Sequence, residues 1–465
     1  MYHKLGIAAA ALVLAVSAGA TEIAAQTTPG AATAAAATTA AQPRTITFSE
    51  AVEIALRQNG TLRQAVNAAA LDTVSVRQQK MQFLPSVSFS TSGSQSYDRS
   101  PTSVGGGAGN TLTSGLNAGV SSSYLLYNGG ANRANLRQAQ LQQAAGGQDV
   151  ERTRQSVVFT VASNYLGLIE AQEQLRVRRE TLASEQAQAD QIRQFVNAGR
   201  RPIADQYQAE ATVAQAQLAV VQAQRDVELA KVEVIQTLQL DPRGEYVFPA
   251  PATGATQMAD IAPLQTLMEQ AFARRVDLSA RQTELDAAAQ GVRAARASRL
   301  PQVSVSAGYN TSLNSANDLG VFDQLNQRQG GSVSVGVSLP IFDRGSAAAE
   351  TQRAQIAQDN ARIALENQRQ QVGLEVRRAS LDFAAAQEQL RAAQAGETAA
   401  RLSLQATGER YQAGVGTLVE LTQARATFAQ AQSALVNARY NLLFQRTLVD
   451  YYVGSLDPAA VPIGR

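Results

Sequence analysis

Alternating apolar and small polar residues mark two pairs of strands in this chain. Residues 332–339 (SVSVGVSL) carry an apolar side chain at nearly every second position, and residues 86–90 (SVSFS) show the same alternation. A period of two places the apolar side chains on one face of a strand. The pattern is typical of a half-buried sheet in a soluble protein and also of lipid-facing strands in a barrel. Strands are predicted at about 86–97, 115–126, 302–312 and 331–340.

A spacing of seven residues predicts coiled-coil packing in two much longer segments. The apolar positions are Val161, Leu168, Leu175 and Leu182 in one segment and Val376, Phe383 and Leu390 in the other. Long helices are predicted at 131–197 and 346–412, each about 100 Å long at about 1.5 Å per residue. Further helices are predicted at about 48–82, 203–240, 262–298 and 417–453.

The same order of elements occurs twice. AQEQLR stands at 171–176 and again at 386–391, while LPSVSFS begins at Leu84 and LPQVSVS at Leu300, so the offset is 215 or 216 residues. A constant offset predicts a tandem repeat of helix, two strands and helices. The predicted domains are a first repeat at 45–250, a second repeat at 251–456 and a short tail at 457–465.

The N-terminus has the composition of a secretory signal peptide. Lys4 precedes an apolar run from Leu5 to Val16, and small residues follow it. This run is too short to span a bilayer. We predict a signal peptide at 1–25, cleaved after residue 20 or 25, and a disordered Ala/Thr linker at 26–44. The exported chain is expected to have no transmembrane helix.

Composition restricts the chemistry that is available. The chain has no cysteine, and its one histidine, His3, lies in the predicted signal peptide. Thiolate chemistry, the usual zinc sites and His-dependent triads are therefore not expected, nor is a cofactor or a lipoprotein anchor. The net charge of +2 favours no nucleic-acid partner. The carboxylates of Glu170 and Glu173 are predicted to be solvated charges on a helix face rather than an acid–base pair.

Four strands are too few for a barrel within one chain. About eight strands are needed for the smallest closed barrel, and open sheet edges cannot sit in lipid. If the strands are transmembrane, the barrel must be shared between subunits.

The sequence resembles the TolC family of outer-membrane efflux and secretion ducts. The resemblance extends from about Thr45 to Leu456 and rests on motifs that occur in order. The motifs are Leu84-Pro85, Leu300-Pro301, LPIFDRG at 339–345 with LYNGG at 126–130, YQAGVGT at 411–417 with Ala198-Gly199, and NARYN at 437–441.

The resemblance implies a membrane α+β fold and a homotrimer. Twelve strands, four per chain, would form an outer-membrane barrel continued by a periplasmic α-helical barrel. Its partners would be a periplasmic adaptor, an inner-membrane pump and outer-membrane lipid. The implied function is passive conduction of substrates, without bond chemistry, in a tripartite efflux or type I secretion system. The loops 98–114 and 313–330 would face outward. Alternatives are a periplasmic adaptor, which should have a single helical hairpin, and a structural coiled-coil envelope protein.

The resemblance also implies a gate at the periplasmic helix tips. Glu420 matches an acidic position that forms a ring, whereas Gln423 stands where some members have a second acid. Asp205 and Tyr411 match an acid and a tyrosine that pair across helices. Gly416 stands where some members have a latch arginine, which leaves Arg200 or Arg201 as a substitute.

Local helix chemistry offers an alternative explanation for the same residues. Thr417 and Glu420 have the spacing of a capping box, and Asp205 lies where a helix dipole favours an acid. Pro202 is common near a helix start. The glycines Gly199, Gly414 and Gly416 are expected to end helices with positive φ, and bare backbone at these turns would also suit contact with an adaptor.

Overall fold

The computed structural model describes residues 44–101, 108–250, 260–314 and 327–456, together with residues 320, 323 and 324. The predicted signal peptide and tail lie outside these residues, as does the predicted linker up to residue 43. Arg44 was predicted to belong to the linker but already lies in a strand, where its N–H donates to the carbonyl of Glu245 at 3.0 Å.

Apart from two short strands in the first half, helices and strands follow each other in the same order in both halves of the described chain. The first half contains β1 (Arg44–Thr45), α1 (Phe48–Gln58), α2 (Gly60–Met81), β2 (Ser86–Pro101), β3 (Ala108–Asn128), α3 (Ala131–Asn197), α4 (Ile203–Leu238) and β4 (Tyr246–Val247). The second half contains α5 (Leu264–Arg274), α6 (Val276–Ala297), β5 (Gln302–Asn314), β6 (Gln329–Ser338), α7 (Ser346–Gln412) and α8 (Leu418–Val453).

The two long helices, α3 and α7, each have 67 residues and fold back through α4 and α8 into two hairpins. The heptad positions become their packing positions. Val161, Leu168, Val376 and Phe383 are at most 1% exposed, because a stripe that recurs every seven residues stays on one side of a helix.

Two predicted helices are broken, and the single helices expected at 48–82 and 262–298 are therefore wrong. The first ends at Asn59, whose ψ of 124° leaves the helical region and whose side chain accepts hydrogen bonds from the next helix. The second ends at Arg275, whose ψ of 116° does the same. Arg275 is 3% exposed and forms ion pairs with Asp277 at 2.5 Å and with Glu375. Tertiary contacts thus fix the second break.

The four long strands form one antiparallel sheet in the order β2-β3-β5-β6. β2 and β3 extend further into the predicted polar loop than expected, to Pro101 and from Ala108. Facing serines form hydroxyl hydrogen bonds on one face, as between Ser306 and Ser334 at 2.8 Å. The apolar side chains lie on the other face and are uncovered, with Val335 at 67% exposure and Val337 at 71%.

Away from the sheet, the core lies where the small elements pack on the long helices. β1 and β4 pair in parallel, and together with α1 they cover one side of α3. Tyr165 on α3 packs edge-on to Phe48 and Phe248, at 5.5 and 6.2 Å between ring centroids. Among the helices of the described residues, none combines the length and apolar character needed to cross a membrane.

Candidate functional site

Both long helices end in the same kind of turn. At the end of α3, Gly199 has φ +68°, and the N–H of Arg200 donates to the carbonyl of Phe195 at 2.8 Å. At the end of α7, Gly414 has φ +77°, and the N–H of Val415 donates to the carbonyl of Arg410 at 3.0 Å. These six-to-one bonds with a left-handed glycine are Schellman motifs, which satisfy the last helical carbonyls and turn the chain.

Gly416 has a different role from the one predicted, since its φ is not positive and it does not end the helix. A Cβ at this position would lie 3.0 Å from the backbone nitrogen of Tyr411 and 3.2 Å from the carbonyl carbon of Arg410. The N–H of Gly416 also donates to the Arg410 carbonyl at 3.1 Å. Gly416 therefore allows the returning chain to lie directly against the end of α7.

Thr417 and Glu420 form a capping box at the start of α8. The Glu420 N–H donates to the Thr417 hydroxyl at 3.2 Å, and the Thr417 N–H donates to the Glu420 carboxylate at 3.4 Å. Arg410 lies 3.9 Å from the same carboxylate, whose side chain remains 47% exposed. Gln423, one turn further on, is exposed. Glu420 can thus cap the helix and still present a negative charge to solvent.

The structure brings Tyr411, Arg201 and Asp205 together across the two hairpins. The Arg201 guanidinium lies 4.5 Å from the centre of the Tyr411 ring and 3.9 Å from the Asp205 carboxylate. Tyr411 is buried, and its hydroxyl has no hydrogen-bond partner among the described residues. Burial raises the pKa of Tyr411, Arg201 lowers it and Asp205 raises it. Arg200 instead lies over the ring of Phe195, at 5.3 Å.

The two tips form one packed unit. Ala189, Ile192 and Ala209 make a buried cluster between α3 and α4, and Leu418 from the start of α8 packs against it. Asp205 lies in the first turn of α4 directly after Pro202, which occupies the N-cap position. Because Leu418 and Glu420 belong to the same helical turn, the packing of one tip on the other fixes where the Glu420 carboxylate lies.

The sequence analysis did not predict a cluster of polar contacts between α8 and α3 close to the tips, which is here called the polar joint. The guanidinium of Arg425 donates to the Ser184 hydroxyl at 3.0 Å and to the Gln188 side-chain oxygen at 2.9 Å, and it lies 3.8 Å from the Glu185 carboxylate. Burial raises the pKa of Glu185, and Arg425 opposes that rise. No sequence motif signals this joint, because its members are 237 to 241 residues apart.

Exposed apolar side chains at the tips were also missed. Ile203 is 53% exposed, Tyr207 64%, Val415 70% and Val419 77%. All four lie within one or two turns of the glycine breaks, two on each hairpin. Apolar side chains concentrated at an exposed turn are typical of a contact surface for another protein.

Comparison with known proteins places this architecture in a family. The family model described as outer membrane efflux protein matches residues 51–238 and 267–454, which is most of both halves. Protein CyaE of Bordetella pertussis is 28% identical over 391 residues, which cover 82% of this chain and 78% of the relative. Outer membrane protein TolC of Vibrio cholerae is 25% identical over 333 residues, which cover 69% of this chain and 71% of the relative.

A solved structure shares the fold over most of its length. The CmeC outer membrane channel of Campylobacter jejuni superposes with a TM-score of 0.74 at 19% identity, and the match covers 89% of this chain and 87% of that one. The matched family segments contain both hairpins, both pairs of strands and the tip residues. The chain therefore belongs to the TolC-like outer membrane efflux protein family, whose members are exit ducts of the outer membrane with a periplasmic extension.

Proposed function

We propose that the chain is one subunit of a homotrimeric exit duct that conducts substrates passively from an inner-membrane pump through the periplasm and the outer membrane. The open sheet carries this proposal. β2 and β6 are its two edges within the described residues, and its valine face is uncovered. A closed barrel satisfies both edges in lipid, and three copies supply twelve strands for it.

The helical hairpins continue this barrel as a tunnel. Each long helix of 67 residues reaches about 100 Å from the sheet, which is far more than a bilayer is thick. Exposed apolar positions along the helices, such as Leu218, Leu374 and Leu381, suit lateral packing between subunits. The adaptor alternative predicts a single hairpin, whereas the chain has two.

The tips are proposed as the gate of the duct. Glu420 supplies one exposed carboxylate per subunit, and three copies would place a ring of charge at the narrow end. Arg201 lies where it can act as the latch that Gly416 lacks, because it bridges Tyr411 and Asp205 between the hairpins. Gln423 adds no charge to the ring.

The same tips are the proposed docking surface for the periplasmic adaptor. Both turns expose backbone, at Gly199 and at Gly414, and the first turn also exposes the basic side chain of Arg200. Pro202 and Thr417 fix the start of the returning helices. Val415 and Val419 add exposed apolar side chains to this surface, and such side chains are typical of a contact surface for another protein.

Trimer formation is tested by isolating outer membranes, solubilising them and comparing unheated with heated samples on gels. A species of three chains that collapses to one on heating supports the duct. A monomer that is soluble without detergent would refute it.

The gate is tested by replacing Glu420 with Gln in the reconstituted channel and measuring cation selectivity and block by acid or multivalent cations. A carboxylate ring predicts that both decrease, because the charge that attracts cations is removed. Thr417→Ala is the matched control, since it removes the cap and keeps the carboxylate. If the two variants conduct alike, or if Glu420→Gln conducts as the wild type does, Glu420 only caps the helix.

A further inference from the structure

A groove lined by both polar and aromatic side chains lies between α3, α7 and α8, away from the tips. Its cavity volume is about 820 Å³. Leu166, Tyr440 and Phe444 supply its apolar lining, while Asn437, Asn441 and Gln389 supply carboxamides. Cavities of roughly 300–1,000 Å³ with a few polar groups are typical of small-molecule sites.

Small residues create this space. Gly167 lines the groove, and a Cβ placed there would meet nothing within 4 Å. Ala393 and Ala434 line the facing helices. Larger side chains at these positions would fill the gap between the helices. The groove therefore depends on the small residues at these positions.

Glu170 is the charged group in the groove that lacks a partner. Its side chain is half-buried, and none of the described residues forms an ion pair or hydrogen bond with its carboxylate. Glu170 is therefore only partly solvated, whereas the carboxylate of Glu173 forms an ion pair with Arg176 at 2.9 Å. Burial raises the pKa of Glu170. Arg178 lines the adjoining groove and lies about 12 Å further along the helix axis.

The groove opens on the side of α3 opposite the small elements. Tyr165 donates to the carbonyl of Pro249 at 2.7 Å, and Gln172 donates to that of Phe248 at 3.2 Å, so both face β4 and its flanking chain. At about 100° per residue, Glu170 points about 140° away from Tyr165 and about 160° away from Gln172. An open duct requires the small elements to lie outside it, since three copies inside would fill the path. The groove then faces the lumen.

We propose that this groove is a contact site for organic cations that pass through the duct, with Glu170 as the counter-charge and Tyr440 and Phe444 as the apolar surface. The inference rests on the proposed duct. A cation would supply the partner that the carboxylate lacks, and the aromatic rings and carboxamides suit an ammonium group on an apolar body.

Binding is tested on the purified full-length trimer with benzyltriethylammonium and, as a probe of opposite charge, benzenesulfonate. The cation is expected to bind, and Glu170→Gln is expected to weaken its binding about tenfold, because one charge-assisted contact is lost. The anion is expected to bind more weakly to the wild type than to Glu170→Gln. Glu53→Gln removes the same charge from exposed α1 and should leave cation binding unchanged.

A second variant tests the site without altering the half-buried carboxyl. Gln389 is exposed at the rim, so Gln389→Glu adds a charge without disturbing the core. Cation binding is expected to become several-fold tighter. Equal binding of cation and anion, unchanged binding in both variants, or no binding because a neighbouring subunit fills the groove would each overturn the inference. Normal conductance in such a protein would leave the proposed duct standing, whereas absence of conductance in the wild type would refute the duct itself.

Discussion

Glycine serves two separate physical purposes at the helix tips. Gly199 and Gly414 adopt positive φ, which side chains with a Cβ disfavour, and a Cβ at either position would meet nothing within 4 Å. Gly416 has an ordinary φ but no room for a Cβ. The sequence motif shows that glycines are present, whereas only the structure separates conformation from close approach.

We predict that Gly414→Ala and Gly416→Ala both destabilise the tip but differ in how. Gly414→Ala should cost about 1–2 kcal/mol of folding free energy through left-handed strain. Gly416→Ala should also move the end of α7, since the Tyr411 backbone must yield. Gly408→Ala, in open space within α7, is the control and should stabilise by up to about 1 kcal/mol. Thermal unfolding together with hydrogen exchange at residues 410–420 measures both effects.

Tyr165 predicts a loss of stability at alkaline pH. Burial raises the pKa of Tyr165 to about 12, from an ordinary value of 10.0. A raised pKa means that the folded chain holds the Tyr165 proton more tightly than the unfolded chain does. The contribution of Tyr165 to the free energy of unfolding is therefore complete below pH 10 and is lost as the pH rises through about 12. Tyr165→Phe should therefore flatten the fall in unfolding free energy between these pH values. Tyr207→Phe, at an exposed position, should not, and equal slopes in both variants would contradict the assignment.

At the scale of elements, the two halves break the same helix by different means. Asn59 caps α2 with its own side chain, and the dipeptide Asn59-Gly60 is a recognised turn signal. Arg275 has no capping bond. Its guanidinium is instead enclosed by Asp277 and Glu375, and Gln368 donates to Asp277 at 2.9 Å. The first break was therefore accessible from sequence, whereas the second depends on a residue 100 positions away.

We predict that Arg275→Met destabilises the chain by about 3–5 kcal/mol, because it leaves two partly buried carboxylates without their cation. Arg281→Met is the matched control, since Arg281 pairs with Glu284 on the exposed face of α6 and should contribute less than about 1 kcal/mol. Chemical denaturation measures both. A similar small loss in the two variants would show that the buried cluster does not hold the junction.

At the scale of the whole molecule, the uncovered valine face supports the proposed assembly in lipid. Val333, Val335 and Val337 on β6 are at least 67% exposed, which a monomer in water would not favour. Ser334, between Val333 and Val335, points to the other face, where it meets Ser306. A barrel with lipid outside and water inside satisfies both faces.

Because the chain has no cysteine, single cysteines can report which face is wet. In outer membranes, Val335→Cys is expected to resist a membrane-impermeant thiol reagent, while Ser334→Cys, its neighbour on the same strand, should react. The reason is that only the lumen face contacts water. Equal labelling of both positions would contradict a transmembrane sheet.

The sequence by itself determined the elements whose signal is periodic. The long helices at 131–197 and 346–412 and the alternating strands follow from local patterns of apolar residues, and the helix stops and the capping box follow from residues within one turn of each other. These features depend on neighbours along the chain, so no tertiary information was needed.

Only the tertiary structure decided how distant residues meet. The contacts of Arg201 with Tyr411, of Arg425 with Ser184, and of Arg275 with Glu375 join residues that are at least 100 positions apart. The half-burial of Glu170 likewise depends on α7 and α8 lying beside α3. Packing brings such groups together and sets their exposure and charge environment, and a linear pattern does not record either.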